Sequence, residues 1–291
     1  MGADTVKVYS HNDPNAKPIL EKVSKHTQQA EAMNLPYWVF AENSTPIGIV
    51  GVGKEPVQLL APPGTPMAIM HLIDTAQPKE NIENFVLEAL KLAVQKNIEY
   101  ALATFPVKEE TAINQFKKAN FQEFDDCYRM TCQLDKDFEL HSELEFKQVQ
   151  KDEMRQFIKT AENFLQGSPD ITLSKALEHL LELPDEFLNF YYSQEKFYFA
   201  NKDQKTVGII NFNPSRGLIS NVGVDPQQRR KGYGKQIAQF ALEQLRNSNC
   251  KQAHLRVHVE NKAAIHIYES LGFVKAERYK TLIWRRKESA S

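Results

Sequence analysis

The sequence predicts an α/β (α+β) fold, strands with flanking helices, laid down twice within 291 residues. Three observations carry that reading. The decapeptides AINQFKKANF (112–121) and AIHIYESLGF (264–273) align at an offset of 152, pairing Ala112 with Ala264, Ile113 with Ile265 and Phe121 with Phe273. At the same offset Ala89 and Leu90 match Ala241 and Leu242 in the helical run before them. Upstream, WVFAEN…PIGIVG (38–51) is similar to FYFANK…TVGIIN (197–211), at an offset about eight larger, so the first half carries extra loop around Pro62, Pro63 and Pro66.

The elements follow in order. In the first half one strand and a helix over Lys17–Met33 precede Trp38, and the shared order runs on to Leu134. The polar segment Asp135–Ser142 joins the halves, which gives domains of 1–138 and 139–291. In the second half Leu144–Gln148 reads as a strand. Asp152 is placed to cap a helix to about Phe164, because a carboxylate there accepts from the free N–H groups of the first turn. A helix at about Thr172–Leu183 comes next. Phe197–Ala200 and Thr206–Asn213 alternate apolar and polar residues and read as a hairpin around Asn201–Gln204. Leu218–Val224 is a strand, Gly234–Asn247 a helix, Gln252–Val259 a strand and Lys262–Leu271 a helix, and Phe273–Arg285 holds the last strands.

Composition narrows the function. The chain is 42% apolar and 25% charged with a net charge of -1, so it lacks the basic excess of a nucleic-acid groove. The three cysteines, Cys127, Cys132 and Cys250, have no disulfide or metal-ligand spacing and read as buried or idle thiols. No run of eighteen apolar residues and no signal-peptide core occur, so a cytoplasmic protein without a membrane partner or a metal is expected.

Chemistry concentrates in two segments. VDPQQRRKGYG (224–234) lies between a strand-like and a helix-like run. Gly232 and Gly234 allow a turn to aim successive N–H groups at a phosphate, the following helix adds its positive end, and Arg229, Arg230, Lys231 and Lys235 add charge. A dinucleotide fingerprint is disfavoured because its third glycine would fall on Ile237, and no G-K-[ST] follows for a Walker motif. The second segment, NKAAIHIYESLGF (261–273), sets Asn261, Ala264 and Tyr268 on one helical stripe. A small Ala264 permits close approach, and a phenol beside it can protonate a leaving group. His258 and Glu260 end a strand and are weaker candidates, while His71 and His179 lack partner spacing and read as structural. The aromatic run Phe187–Phe199 reads as core that can also line a pocket, and Glu178–Glu186 as a solvated face.

VDPQQRRKGYG followed by N-x-x-A-x-x-x-Y-x-x-x-G-F resembles the GNAT (GCN5-related N-acetyltransferase) family, over about Leu218–Phe273 for the motifs and 144–285 for the element order. The resemblance implies a mixed, mainly antiparallel sheet whose fourth and fifth strands splay apart to hold acetyl-CoA as co-substrate. By that likeness Val222, Gly223 and Val224 pair with the pantetheine arm and supply an N–H to the oxyanion. The turn Arg229, Arg230, Lys231, Gly232, Tyr233, Gly234 and Lys235 takes the diphosphate, and Asn261 and Ala264 lie along the cofactor. Tyr268 is the acid that protonates the departing thiolate. Many relatives place a glutamate on the fourth strand as base; this strand offers Ser220 and Asn221 instead, which favours a water relay.

At the 152 offset the first half has Phe116 for Tyr268, Glu109 for Asn261 and Asn120 for Gly272, with Gln77, Glu80 and Ile82 at the places of Arg229, Gly232 and Gly234. Both glycines, the two arginines and the phenol are gone, so the first half is expected to keep the fold without the usual CoA site. Such tandem chains resemble mycothiol synthase and related two-domain acyltransferases in architecture. The expected activity is acetyl transfer from acetyl-CoA to a primary amine. A small-molecule amine is the leading acceptor; a protein or peptide amine, or acyl-CoA binding without catalysis, are the alternatives. A monomer (as a pseudo-dimer) or a homodimer is expected.

Overall fold

The computed structural model describes residues 6–32, 34–74, 77–135 and 142–287. Most of the expected joining segment, and Met33 at the end of the first helix, therefore lie outside the described residues. The chain forms two compact units.

The first unit comprises residues 1–56, 61–126 and 279–291. Its strands are β1 (Lys7–Ser10), β2 (Tyr37–Glu42), β3 (Thr45–Lys54), β4 (Pro66–Leu72) and β5 (Tyr100–Pro106), joined by α1 (Lys17–Ala32) and α2 (Lys79–Gln95) and followed by α3 (Glu110–Lys118). They lie in the order β1-β2-β3-β4-β5, and the outer neighbour of β5 is the C-terminal part of β12 (Val274–Arg285), paired antiparallel from Tyr279 to Arg285. The core is aromatic: Phe40, Phe85, Phe105 and Phe116 are fully buried, with Phe116 edge-on to Phe105 at 4.8 Å and to Phe121 at 4.9 Å. Below it Glu55, almost wholly buried, accepts from the Tyr100 hydroxyl at 2.7 Å.

The second unit comprises residues 57–60 and 127–278. Beginning at Cys127, the strand β6 (Gln122–Gln133) belongs here and pairs antiparallel with β11 (Gln252–His258). The sheet runs β6-β11-β10-β9-β8-β7, where β7 is Glu145–Gln148, β8 Lys196–Lys202, β9 Lys205–Asn213 and β10 Leu218–Val224. Among the described residues of this unit only β10–β11 is parallel. The helices are α4 (Met154–Phe164), α5 (Ile171–His179), α6 (Asp185–Gln194), α7 (Tyr233–Asn247) and α8 (Lys262–Ser270). One face of the sheet packs Ile210, Phe212, Ile219 and Leu255 against α7 and α8, where Phe146 stacks on Phe240 at 3.8 Å. The other face packs Phe197, Phe199 and Ile209 against α4 and α5. Among the described residues no helix is long and apolar enough to cross a membrane.

The repeat is visible residue by residue. Strand β11 sits 152 positions after β5, α8 after α3 and β12 after β6, at both ends of each element. The helices α3 and α8 end alike, on a left-handed residue: Asn120 at φ 67° and Gly272 at φ 92°. Asparagine tolerates that conformation, so the exchange leaves the turn intact.

Local chemistry departs from the sequence reading in four places. Asp152 does not cap α4; Glu153 instead accepts from the Gln150 N–H at 2.9 Å, after which a single tight turn leads into the helix. The helix expected over 172–183 starts at the cap Asp170, which accepts from Leu173 N–H at 2.8 Å, and ends at His179 in a 3-10 turn. The aromatic run contains α6, opened by Pro184, with Leu188, Tyr191 and Tyr192 on its inward stripe. The two histidines read as partnerless have partners: His71 Nε2 meets His26 Nδ1 at 3.0 Å, and His179 meets Glu182 at 3.1 Å. The hairpin is as expected, turning on Asp203 and Gln204 at φ 49° and 64°.

Candidate functional site

β10 and β11 pair at Leu218–His254 and Ile219–Leu255, and there the pairing stops. The cause lies at Ser220, where a bulge in the β9–β10 ladder shifts the register between Ile219 and Asn221. Beyond it Asn221–Val224 keep their partners on β9, and their other edge has no strand partner among the described residues. Such an edge offers N–H and C=O groups to an extended amide chain. In the first unit the corresponding strands β4 and β5 pair over four residues, from Met67–Tyr100 to Met70–Ala103.

The turn that follows β10 is an open anion nest. A 3-10 turn at Pro226–Gln228, capped by Asp225, leads into Arg230 at φ 69° and Gly232 at φ 85°. None of the backbone N–H groups from Arg229 to Gly234 has a hydrogen-bond acceptor among the described residues. They sit at the N-terminus of the 15-residue α7, where the helix dipole adds to their pull on an anion. No atom lies within 4 Å of a Cβ built on Gly232, so its requirement is the positive φ together with open space for a ligand. A Cβ on Gly234 would meet Ile267 of α8 at 3.2 Å and Val224 of β10 at 3.6 Å. Gly234 is thus where strand, turn and α8 converge.

Side chains around the nest differ in what they have left to offer. Arg230, Lys231 and Lys235 are exposed, and Lys231 reaches Gln228 at 2.7 Å. The Arg229 guanidinium donates to the carbonyls of Phe164 (3.0 Å), Gln166 (3.3 Å) and Val224 (3.3 Å), which ties the turn to the C-terminal end of α4. Tyr233 packs its ring into the core, so it presents only its N–H. Val222 and Val224 are half-buried and Gly223 is buried beneath Phe164.

On α8 Asn261 caps the helix, accepting from Ala264 N–H at 3.2 Å through Oδ1. This engages its oxygen. Ala264 is half-buried, and Tyr268 is buried with its ring 5.6 Å from Phe273. The Tyr268 hydroxyl has no hydrogen-bond partner among the described residues, and burial pushes its pKa up to about 12. The phenol therefore holds its proton throughout the neutral range, as an acid must.

A polar network that the sequence did not reveal lies beside the bulge, on the α4–α6 face. Glu195, the residue between α6 and β8, accepts from Ser220 Oγ at 2.7 Å and from Asn211 Nδ2 at 2.5 Å. Asn211 is fully buried; its amide also donates to Tyr191 Oη at 3.2 Å, and its Oδ1 accepts from Asn221 Nδ2 at 3.0 Å. Burial raises the Glu195 pKa, against the lowering effect of its hydrogen bonds. Three separated segments supply this network, so no spacing rule finds it. His258 is engaged locally, accepting from Glu260 N–H at 3.1 Å.

These features agree with known proteins. Residues 154–273 match the Acetyltransferase (GNAT) family. The chain is 36% identical over 63 residues to N-alpha-acetyltransferase 30 of Xenopus laevis, covering 22% of this chain and 23% of that one. It is 34% identical over 77 residues to mycothiol acetyltransferase of Nocardiopsis dassonvillei, covering 26% and 23%. The matches thus span about a quarter of these curated relatives. A tandem GNAT protein from the clavulanic acid biosynthesis pathway superposes with a TM-score of 0.66 at 14% identity, over 98% of this chain and 99% of that one. The chain therefore has the fold of the GNAT acyltransferases along its length, and its residues 154–273 form an acetyltransferase (GNAT) family domain.

Proposed function

We propose that this protein is an N-acetyltransferase that moves the acetyl group of acetyl-CoA to a primary amine, and that the amine is carried by a small molecule. The observation that carries the reading is the junction of three features. They are an unpaired β10 edge starting at the Ser220 bulge, the open N–H groups of Arg229–Gly234, and the unpartnered phenol of Tyr268 on the helix packed against them. The donor set fits acetyl-CoA: an edge for its amide arm, a nest with exposed cations for its diphosphate, and an acid for its sulfur. When bound, the co-substrate supplies an activated acyl carbon. The chain orients it, and Tyr268 provides the proton that leaves with the thiol.

The working site belongs to the second half (139–291). The first (1–138) keeps the fold without the site, for its α2 opens with Pro78 and Glu80 and its β4–β5 gap is paired shut further along. A carboxylate where a diphosphate would lie repels it. A small acceptor is favoured by the polar network beside the bulge, whose short side chains converge on one half-buried carboxylate. N-alpha-acetyltransferase 30, by its name, acts on protein N-termini, and mycothiol acetyltransferase on a small molecule. Release of CoA thiol with spermidine, glucosamine and a short peptide with a free N-terminus separates them. Turnover of either small amine with little of the peptide is expected; preference for the peptide would reverse the assignment.

A further inference from the structure

We infer that Glu195, held by Ser220 and Asn211 at the β10 bulge, is the base that accepts the proton of the acceptor ammonium, and that Asn221 and Tyr191 complete the acceptor subsite. The inference rests on the acetyltransferase reading and supplies the base that β10 lacks. Three structural facts lead to it. Glu195 lies at the residue where β10 leaves β11, since its partner Ser220 is the bulge itself. Its carboxylate is half-buried and, among the described residues, forms no ion pair; both contacts come from neutral donors. A carboxylate partly withdrawn from water with only the field of Arg216 and no cation in contact is costly, and an ammonium group is an occupant that relieves it. Finally, its second support, Asn211, is wholly buried and its oxygen is taken by Asn221, so the carboxylate is fixed in orientation.

The groups facing Glu195 are Ser220 and Asn211 by hydrogen bond, and Arg216 and Tyr191 through their fields. Burial outweighs the hydrogen bonds and Arg216 and brings the carboxyl closer to neutrality, where a base works best. In the reaction one proton passes from R–NH3+ to Glu195. The freed lone pair forms the C–N bond as the C–S bond breaks, and the sulfur takes a proton from Tyr268. The second proton, shed by the new amide nitrogen, restores Tyr268 through water, and Glu195 returns its own to solvent. One proton is released per acetyl group.

Glu195→Gln keeps the size and a hydrogen-bonding oxygen. It is expected to bind acetyl-CoA like the wild type while kcat/KM for the accepted amine, drawn from the spermidine, glucosamine and peptide panel, falls by about 10²–10⁴-fold and loses its acidic limb. Its folding stability at pH 7 is expected to hold or rise. A carboxyl whose folded pKa is raised favours the native state only below its unfolded value, and that contribution disappears as pH climbs through the folded pKa. A purely structural Glu195 would instead leave a less stable protein. Ser220→Ala removes a hydrogen bond that favours the charged form, so the acidic limb should move to higher pH. This second variant decides the matter if Glu195→Gln does not fold. Unchanged kcat/KM with an intact acidic limb in Glu195→Gln, or no shift in Ser220→Ala, overturns the assignment of the base alone. Failure of the wild type to bind acetyl-CoA, or to use any panel amine, overturns the acetyltransferase reading and this one with it.

Discussion

Replacing Tyr268 by phenylalanine is expected to lower kcat by about 10²–10⁴-fold while acetyl-CoA affinity and folding stability stay near wild type. The prediction follows from what the hydroxyl does and does not touch. The ring belongs to the core beside Phe273, so phenylalanine keeps that packing. The hydroxyl has no protein partner among the described residues, so its removal breaks no hydrogen bond. Only the proton is lost, and its absence is felt where the thiolate departs. Steady-state kinetics with a separate acetyl-CoA titration checks this; equal kcat in the variant would leave Tyr268 a core residue.

Phe116→Ala, at the corresponding place of the first half, is expected to destabilise the protein by about 3–5 kcal/mol. Phe116 is fully buried and meets Phe105, Phe121 and Phe85, so truncation opens a cavity among rings that cannot all close in. Phe116→Tyr would bury a hydroxyl and cost about 1–3 kcal/mol if it found no acceptor. Urea denaturation of the full chain reads both. The pair Phe116 and Tyr268 thus shares a position: both rings pack in a core, and the second carries a hydroxyl that the first lacks. A loss below about 1 kcal/mol in Phe116→Ala would contradict the packing account.

Much of this was legible in the sequence because it is written in short spacings. The 152-residue offset located α3 with α8 and α2 with α7, and the two glycines with the cations before them marked the turn. What was hidden depends on contacts between distant segments. Glu195, Asn211 and Ser220 come from three separate segments, and nothing in their neighbours signals that they meet. Helix α6 was obscured because its aromatic residues suit strands as well as helices, and only packing of Leu188, Tyr191 and Tyr192 decides between them. The role of the Arg229 side chain was hidden in the same way, since the carbonyls of Phe164 and Gln166 lie more than sixty residues away. Likewise, the allocation of 127–133 to the second unit and of 279–285 to the first is a matter of strand pairing that chain order does not display.

The central claim is one acetyl-CoA site, in the second half, built on the turn before α7. Isothermal titration of the wild type with acetyl-CoA, beside a Gly232→Glu, Gly234→Ile variant that copies the first half's turn, tests it most directly. Glutamate at the left-handed position sets a negative charge in the turn proposed to take the diphosphate, and isoleucine crowds Ile267 and Val224. The account predicts one equivalent bound by the wild type and none by a variant whose circular dichroism remains native. Two equivalents for the wild type, or undiminished binding by the variant, would contradict it.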